Sequence, residues 1–200
     1  MSIYVEYDEL AKLVSMNQFS GEEVVLHCEF VFFWKPPNTF GQWTESLFAV
    51  DDEIYSCAEQ FMMAEKARLF GNNLIRERIL ATDSPRSHKQ LARQVSGFKQ
   101  QVWDENREGI VFHGNLAKFT QNTEMGKELV QTGNRALVEA SPFDKTWGIG
   151  LRADDPRALQ PAKWKGLNLL GKVLERVRDE LINSNPDTQS NSSVGDTNIK

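Results

Sequence analysis

One segment of this chain alternates as a β-strand does, and two prolines end it. Between residues 24 and 34, Val24, Leu26, Cys28, Phe30, Phe32 and Trp34 fall on one face. Pro36-Pro37 then stops the ladder, because proline has no N–H to donate. A shorter pair follows: Phe48-Ala-Val, Asp51-Asp52-Glu53 and Ile54-Tyr55 read as a tight hairpin. From residue 57 onward the patterns are helical. Few strands are therefore available, and helices must supply most of the cover. The expectation is an α+β fold, mainly helical, in a single domain with a small antiparallel sheet built from the segments near 24–34 and 48–55.

Residues 57–70 and 74–81 are good helix formers, broken at Gly71-Asn72-Asn73. Ser84-Pro85 opens the next helix, since serine suits the cap and proline the first helical position. Helices near 106–121 and 124–131 follow, with Gly133 as the stop of the second, and residues 136–140 read as one further strand. At the end, Leu170, Val173, Leu174, Val177 and Leu181 repeat at helical spacing opposite Lys172, Glu175, Arg176, Asp179 and Glu180. A short helix is also expected at 8–16, where Asp8 is the cap and Leu10, Leu13 and Val14 share a side. Residues 183–200 are mostly Ser, Asn, Asp and Thr and are expected to be a disordered tail, unable to offset chain entropy by burial. The organisation is an N-terminal extension over 1–25, one domain over 26–182, and the tail.

Composition removes several function classes. The net charge of −5, from 23 basic and 28 acidic residues, excludes a protein that coats nucleic acid over its whole surface. A local basic site is still open: Arg86, Lys89, Arg93 and Lys99 lie in a stretch without Asp or Glu and could meet phosphates. Cys28 and Cys57 have no C-x-x-C spacing and read as reduced thiols. No apolar run approaches the ~20 residues of a spanning helix, and no signal peptide is visible at the start. An intracellular, cytoplasmic or nuclear, protein without membrane partners is expected. His27, His88 and His113 belong to no spaced ligand motif, so neither metal nor cofactor is expected. Cys28 or Cys57 with a distant histidine would make a nucleophilic pair, but nothing in the sequence favours one.

Two segments carry the chemistry. On a helix, Glu59, Met63, Lys66 and Phe70 share one stripe. The α-carbons of Glu59 and Lys66 stand about 10 Å apart there. A carboxylate and an amine thus face one way on an otherwise largely apolar helix, although an exposed Glu and a snorkelling Lys would give the same pattern. In Ser141-Pro-Phe-Asp144-Lys-Thr-Trp147-Gly148-Ile-Gly150, a carboxylate precedes a tryptophan and two glycines, which suits a loop passing close to a ligand. An ordinary turn with a core tryptophan has the same residues. Tryptophans beside glycine or polar residues, as in Gly41-Gln42-Trp43 and Trp147-Gly148, favour a pocket where a ring could stack.

Taken in order, these stretches resemble the NADAR (YbiA-like) family. The resemblance is carried by Phe32-Phe33-Trp34, Phe40-Gly-Gln-Trp43, residues 55–66, Arg93-Gln-Val95, Trp103, Gly114-Asn115-Leu-Ala-Lys118-Phe119 and Thr132-Gly133. It continues through Leu137-Val-Glu-Ala-Ser141, Asp144, Trp147-Gly148-Ile-Gly150 and Trp164-Lys-Gly-Leu-Asn168-Leu-Leu-Gly171, across roughly residues 30–178. Many members carry Ser-Asn where this chain has Gly41-Gln42, as another branch does. The family resemblance implies an N-glycosidase that breaks a bond between ribose C1′ and an exocyclic nitrogen. One group of relatives acts on ribosylamine intermediates of riboflavin synthesis, and another removes ADP-ribose from guanine in nucleic acid.

Such chemistry passes through an oxocarbenium-like state, which a carboxylate beside C1′ stabilises. On this reading Glu59 is the first carboxylate and Asp144 the second. Lys66 is a third catalytic residue, either attacking C1′ as a neutral amine or acting as an orienting charge. Trp43, Trp103 and Trp147, the last followed by Gly148, wall the pocket. Arg93, Asn115 and Lys118 hold phosphates and ribose hydroxyls. The partners implied are ADP-ribose or a ribosylamine-type small molecule, and ADP-ribosylated nucleic acid. Of the two, ADP-ribosylguanine is preferred, because the basic stretch suits a diphosphate. A non-catalytic ADP-ribose reader is the rival from another class.

Overall fold

Phe30-Val-Phe-Phe33 forms the strand β2 (Phe30–Phe33), and all four side chains are buried. A strand buried on both faces needs a neighbour on each edge and cover above and below. In the computed structural model, which describes residues 25–26 and 29–184, β1 (Val25–Leu26) pairs with it antiparallel. On the other edge β5 (Ala136–Glu139) pairs with it in parallel, Phe30 opposite Ala136 and Phe33 opposite Glu139. The hairpin β3 (Phe48–Val50) and β4 (Glu53–Tyr55) is a separate two-stranded sheet. The α+β, mainly helical expectation holds. The two segments expected in one antiparallel sheet instead belong to two sheets, and the larger is mixed because the strand at 136–139 joins it.

Six α-helices cover these sheets: α1 (Ala58–Leu69), α2 (Asn73–Leu80), α3 (Pro85–Ala92), α4 (Gln100–Gln121), α5 (Thr123–Gln131) and α6 (Leu169–Ser184). Ser84 caps α3 as its sequence suggests, its hydroxyl accepting from the Ser87 N–H. Gly133, at φ +60°, follows α5 with the left-handed backbone that glycine adopts without strain. The α4 helix begins at Gln100, earlier than its pattern near 106 indicates. The α6 stripe is as expected, with Leu170, Val173, Leu174, Val177 and Leu181 all buried.

The mixed sheet separates two apolar clusters. On one side Val31, Phe33 and Leu137 pack with α1, α4 and α6. On the other, Phe30, Phe32 and Val138 meet Ile149, Leu151 and Ala158 from the segment after β5. The carboxyl ends of β2 and β5 lie side by side, so the chain leaving each begins at the same edge. The expected tail at 183–200 starts two residues too early, since α6 runs through Ser184; residues 185–200, the expected helix at 8–16, His27 and Cys28 lie outside the described residues. No helix among the described residues is long and apolar enough to cross a membrane.

Candidate active site

A cavity of about 360 Å³ opens at the shared carboxyl edge of the parallel pair. Trp34, Lys35 and Pro36 leave β2 along one wall, while Glu139, Ser141, Phe143, Asp144 and Trp147 leave β5 along another. Gln42 and Trp43 come from the loop before β3, Glu59 and Met62 from α1, and Lys89 from α3. Its size and mixed aromatic and polar lining are those of a small-molecule site.

Glu59 is the second residue of α1, where unpaired N–H groups and the helix dipole favour a negative charge. It is only 2% exposed. Its backbone N–H donates to the Gln42 carbonyl at 2.9 Å, which ties the helix start to the loop carrying Trp43. Burial pushes its carboxyl up to about 7, with Asp144 adding to the rise, while Lys89 and the indole N–H of Trp43 pull the other way. One oxygen, Oε1, has no hydrogen-bond partner in the protein.

Asp144 is locked into its loop. Its Oδ1 accepts from the N–H groups of Thr146 (2.9 Å) and Trp147 (2.8 Å), an Asx-type turn that sets the direction of Trp147. Gly148 follows because a side chain would not fit: a Cβ there would stand 2.7 Å from the Glu139 carbonyl oxygen. That close approach lets the Ile149 N–H donate to the same carbonyl at 2.9 Å.

A third carboxyl enters from β5. Glu139 is held in register by Asn168, whose Oδ1 accepts from the Glu139 N–H at 3.0 Å and whose Nδ2 donates to the Leu137 carbonyl at 2.8 Å. Burial pushes its carboxyl up to about 8; Asp144 and Glu59 raise it and Lys89 lowers it. Its Oε2 is buried without a partner, as are both ends of the Gln42 amide. Buried polar atoms are seldom left unpaired, and those of Gln42, Glu59 and Glu139 all belong to residues lining this cavity. The mouth is aromatic: Trp34 and Phe143 lie 6.0 Å apart between centroids, Lys35 stands over Trp34 at 4.5 Å, and Lys89 stands 5.8 Å from Trp43.

Of the expected site residues, the structure brings Trp43, Glu59, Asp144 and Trp147 together, with Gly148 as the buried backbone behind them. The others lie elsewhere. Lys66 does not line the cavity; its ammonium sits 4.4 Å from the Phe98 ring and 5.5 Å from that of Trp103, and burial lowers its pKa. Trp103 is therefore a core residue under Lys66. Arg93 ends α3 and is exposed. Asn115 is buried within α4, its amide donating to the Val111 carbonyl at 2.8 Å. Lys118 is fully buried and does not reach a ligand, because its ammonium donates to the carbonyls of Thr39 (2.8 Å) and Gly41 (3.1 Å). It braces the loop that presents Gln42 and Trp43. Of the basic stretch only Lys89 lines the cavity, while Arg86, Arg93 and Lys99 are exposed. Cys57 and His88 are both buried, Sγ 4.0 Å from Nδ1, away from the cavity lining.

Nothing in the sequence marks Glu139, Gln42 or Trp34 individually as a site residue, and Lys89 stands out only as one of the four cations of the basic stretch. The available signal for Glu139 was a lone acid between Val138 and Ala140 in an apolar strand. No group of three or more His, Cys, Asp or Glu side chains among the described residues is placed to hold a metal ion.

Comparison with known proteins places this geometry. The model of the NADAR domain matches residues 32–182. The chain is 43% identical over 148 residues to a protein of Acanthamoeba polyphaga mimivirus named as an N-glycosidase, covering 72% of this chain and 87% of that protein. It is 29% identical over 150 residues to an N-glycosidase of Nostoc punctiforme, covering 75% and 89%. A 25% match to a riboflavin biosynthesis protein of Vibrio vulnificus spans 76% of this chain but 38% of that longer protein. The solved structure of YbiA from E. coli superposes with a TM-score of 0.66 at 24% identity, over 80% of this chain and 89% of that one, so the fold is shared. The chain belongs to the NADAR domain family and is an enzyme of the N-glycosyl hydrolase type.

Proposed function

We propose that the cavity binds an N-ribosyl compound and hydrolyses the bond between ribose C1′ and an exocyclic nitrogen, releasing ADP-ribose from ADP-ribosylated guanine in nucleic acid. The observation that carries the reading is Glu59: a buried carboxyl at a helix start, with one oxygen unpartnered, in a cavity walled by Trp34, Trp43 and Trp147. Bond cleavage builds positive charge at C1′ and the ring oxygen, and a preorganised carboxylate there lowers the barrier without reorganising. Asp144 is the second carboxylate facing the sugar. The indoles stack on the base, and Lys35 and Lys89 supply positive charge for a diphosphate. No covalent step through Lys66 belongs to this proposal, since its ammonium lies against Phe98 and Trp103.

A second reading keeps the bond and changes the substrate to a ribosylamine intermediate of riboflavin synthesis. It is favoured by the placement of only one residue of the basic stretch, Lys89, in the cavity. The test offers an ADP-ribosylguanine oligonucleotide and the riboflavin ribosylamine intermediate to the purified protein in parallel. Free ADP-ribose and unmodified guanine are the expected products. Turnover far greater on the ribosylamine would transfer the assignment, and no turnover on either, with ADP-ribose still bound, would make the protein a reader.

A further inference from the structure

Breaking a C1′–nitrogen bond leaves its electron pair on nitrogen, and an exocyclic amine departs readily only if a proton reaches it as the bond breaks. The cavity must therefore hold a carboxylate and a protonated acid at once. Its charged lining consists of Glu59 from α1, Glu139 from β5, Asp144 from the following loop, Lys89 from α3 and Lys35 after β2. These carboxyls are not equivalent. Glu59 stands at a helix start and is paired with the Trp43 indole N–H, and both features favour its anion. Asp144 has one oxygen committed to two backbone N–H groups. Glu139 ends a strand, its Oε2 is buried without a partner, and it faces both other carboxyls. The register held by Asn168 keeps Glu139 on the Leu137 face of the sheet; a slip of one residue would turn it to the Val138 side.

We infer that Glu139 is a further catalytic residue, the acid that protonates the leaving nitrogen, while Glu59 faces the cation as carboxylate. This rests on the N-glycosidase reading. The Glu139 proton passes to the exocyclic nitrogen as the C1′–N bond breaks and its electron pair stays with nitrogen. Water then forms the C1′–O bond and gives its proton to Glu59, and return of that proton to Glu139 restores the starting state. No other reactant is consumed. The raised pKa of about 8 at Glu139 keeps the acid form available at neutral pH.

The test measures turnover of ADP-ribosylguanosine by wild type, Glu139→Gln and Glu59→Gln from pH 5 to 10, with ADP-ribose binding by calorimetry alongside. Wild-type kcat/KM should rise with pH through about 7 as Glu59 becomes the carboxylate and fall as pH passes about 8 and Glu139 loses its proton. Glu139→Gln should lower kcat by about 10²–10⁴-fold, remove that alkaline limb and bind ADP-ribose within about tenfold of wild type. Glu59→Gln should keep the limb in its residual activity. An active wild type with Glu139→Gln retaining both rate and limb overturns the inference but leaves the N-glycosidase reading standing. Loss of ADP-ribose binding together with turnover makes Glu139 a binding residue and also overturns it. A wild type inactive on this substrate and on the riboflavin ribosylamine overturns the reading and the inference together.

Discussion

Replacing Glu59 by Gln should make the folded protein more stable above neutral pH while slowing its turnover steeply. The folded state holds the Glu59 proton up to about pH 7, whereas the unfolded chain releases it near 4.5. Over that window the folded chain carries more protons, so stability declines as pH rises through it. At about 1.4 kcal/mol per tenfold, the rise from 4.5 to about 7 corresponds to about 3 kcal/mol of stability missing above pH 7. Glutamine removes this cost and keeps an acceptor for the Trp43 indole. Glu59→Gln should therefore match wild type near pH 4.5 and exceed it by up to about 3 kcal/mol at pH 8, or roughly 6–12 °C in Tm for a domain of this size. Urea melts and thermal melts at pH 4.5, 6, 7 and 8.5 measure the difference. A constant offset at every pH, or a loss of stability that grows with pH, would refute the claim that the cavity holds an uncompensated buried carboxyl. The gain is the usual trade between a functional charge and stability.

Other perturbations separate the site from its supports. Lys118→Met leaves the Thr39 and Gly41 carbonyls without their buried donor, so a loss of about 2–4 kcal/mol is expected in urea melts, with weaker ligand binding as the Trp43 loop loosens. Gly148→Ala forces a Cβ against the Glu139 carbonyl and should cost about 1–3 kcal/mol, with kcat falling more than that loss of stability explains. Trp147→Ala should weaken ADP-ribose binding by about 1–3 kcal/mol through lost stacking, read by calorimetry, while Tm changes less than for Lys118→Met.

What the sequence made legible was whatever rests on local patterning. The α6 stripe, the Ser84-Pro85 helix start and the Asp144 turn depend on spacing within a few residues, and each forms as its spacing indicates. The spacing over 24–34 predicts an alternating strand because Phe30, Phe32 and Trp34 share a face. Val31 and Phe33 fill the other face equally, the mark of a strand buried on both sides, which follows from the apolar clusters packed on either side of the sheet. Glu59 and Asp144 were visible because each carries a conspicuous neighbourhood, one on a helix stripe and one before a tryptophan. Glu139 and Lys89 come to them through tertiary folding, from residues 139 and 89, with no local spacing to announce it. Lys118 shows the opposite failure. The family resemblance implies a phosphate-holding role for it, yet its chain length lets it reach two loop carbonyls in the interior.

On the proposed function, Glu59 stabilises positive charge at ribose C1′ in a pocket that binds its ligand without needing that charge. The decisive measurement is single-turnover release of ADP-ribose from an ADP-ribosylguanine oligonucleotide, made alongside ADP-ribose affinity, for wild type and Glu59→Gln. Glu59→Gln should slow release by about 10²–10⁴-fold and change affinity by less than about tenfold, or 1.4 kcal/mol. Wild-type release rates in Glu59→Gln, at unchanged affinity, would contradict it.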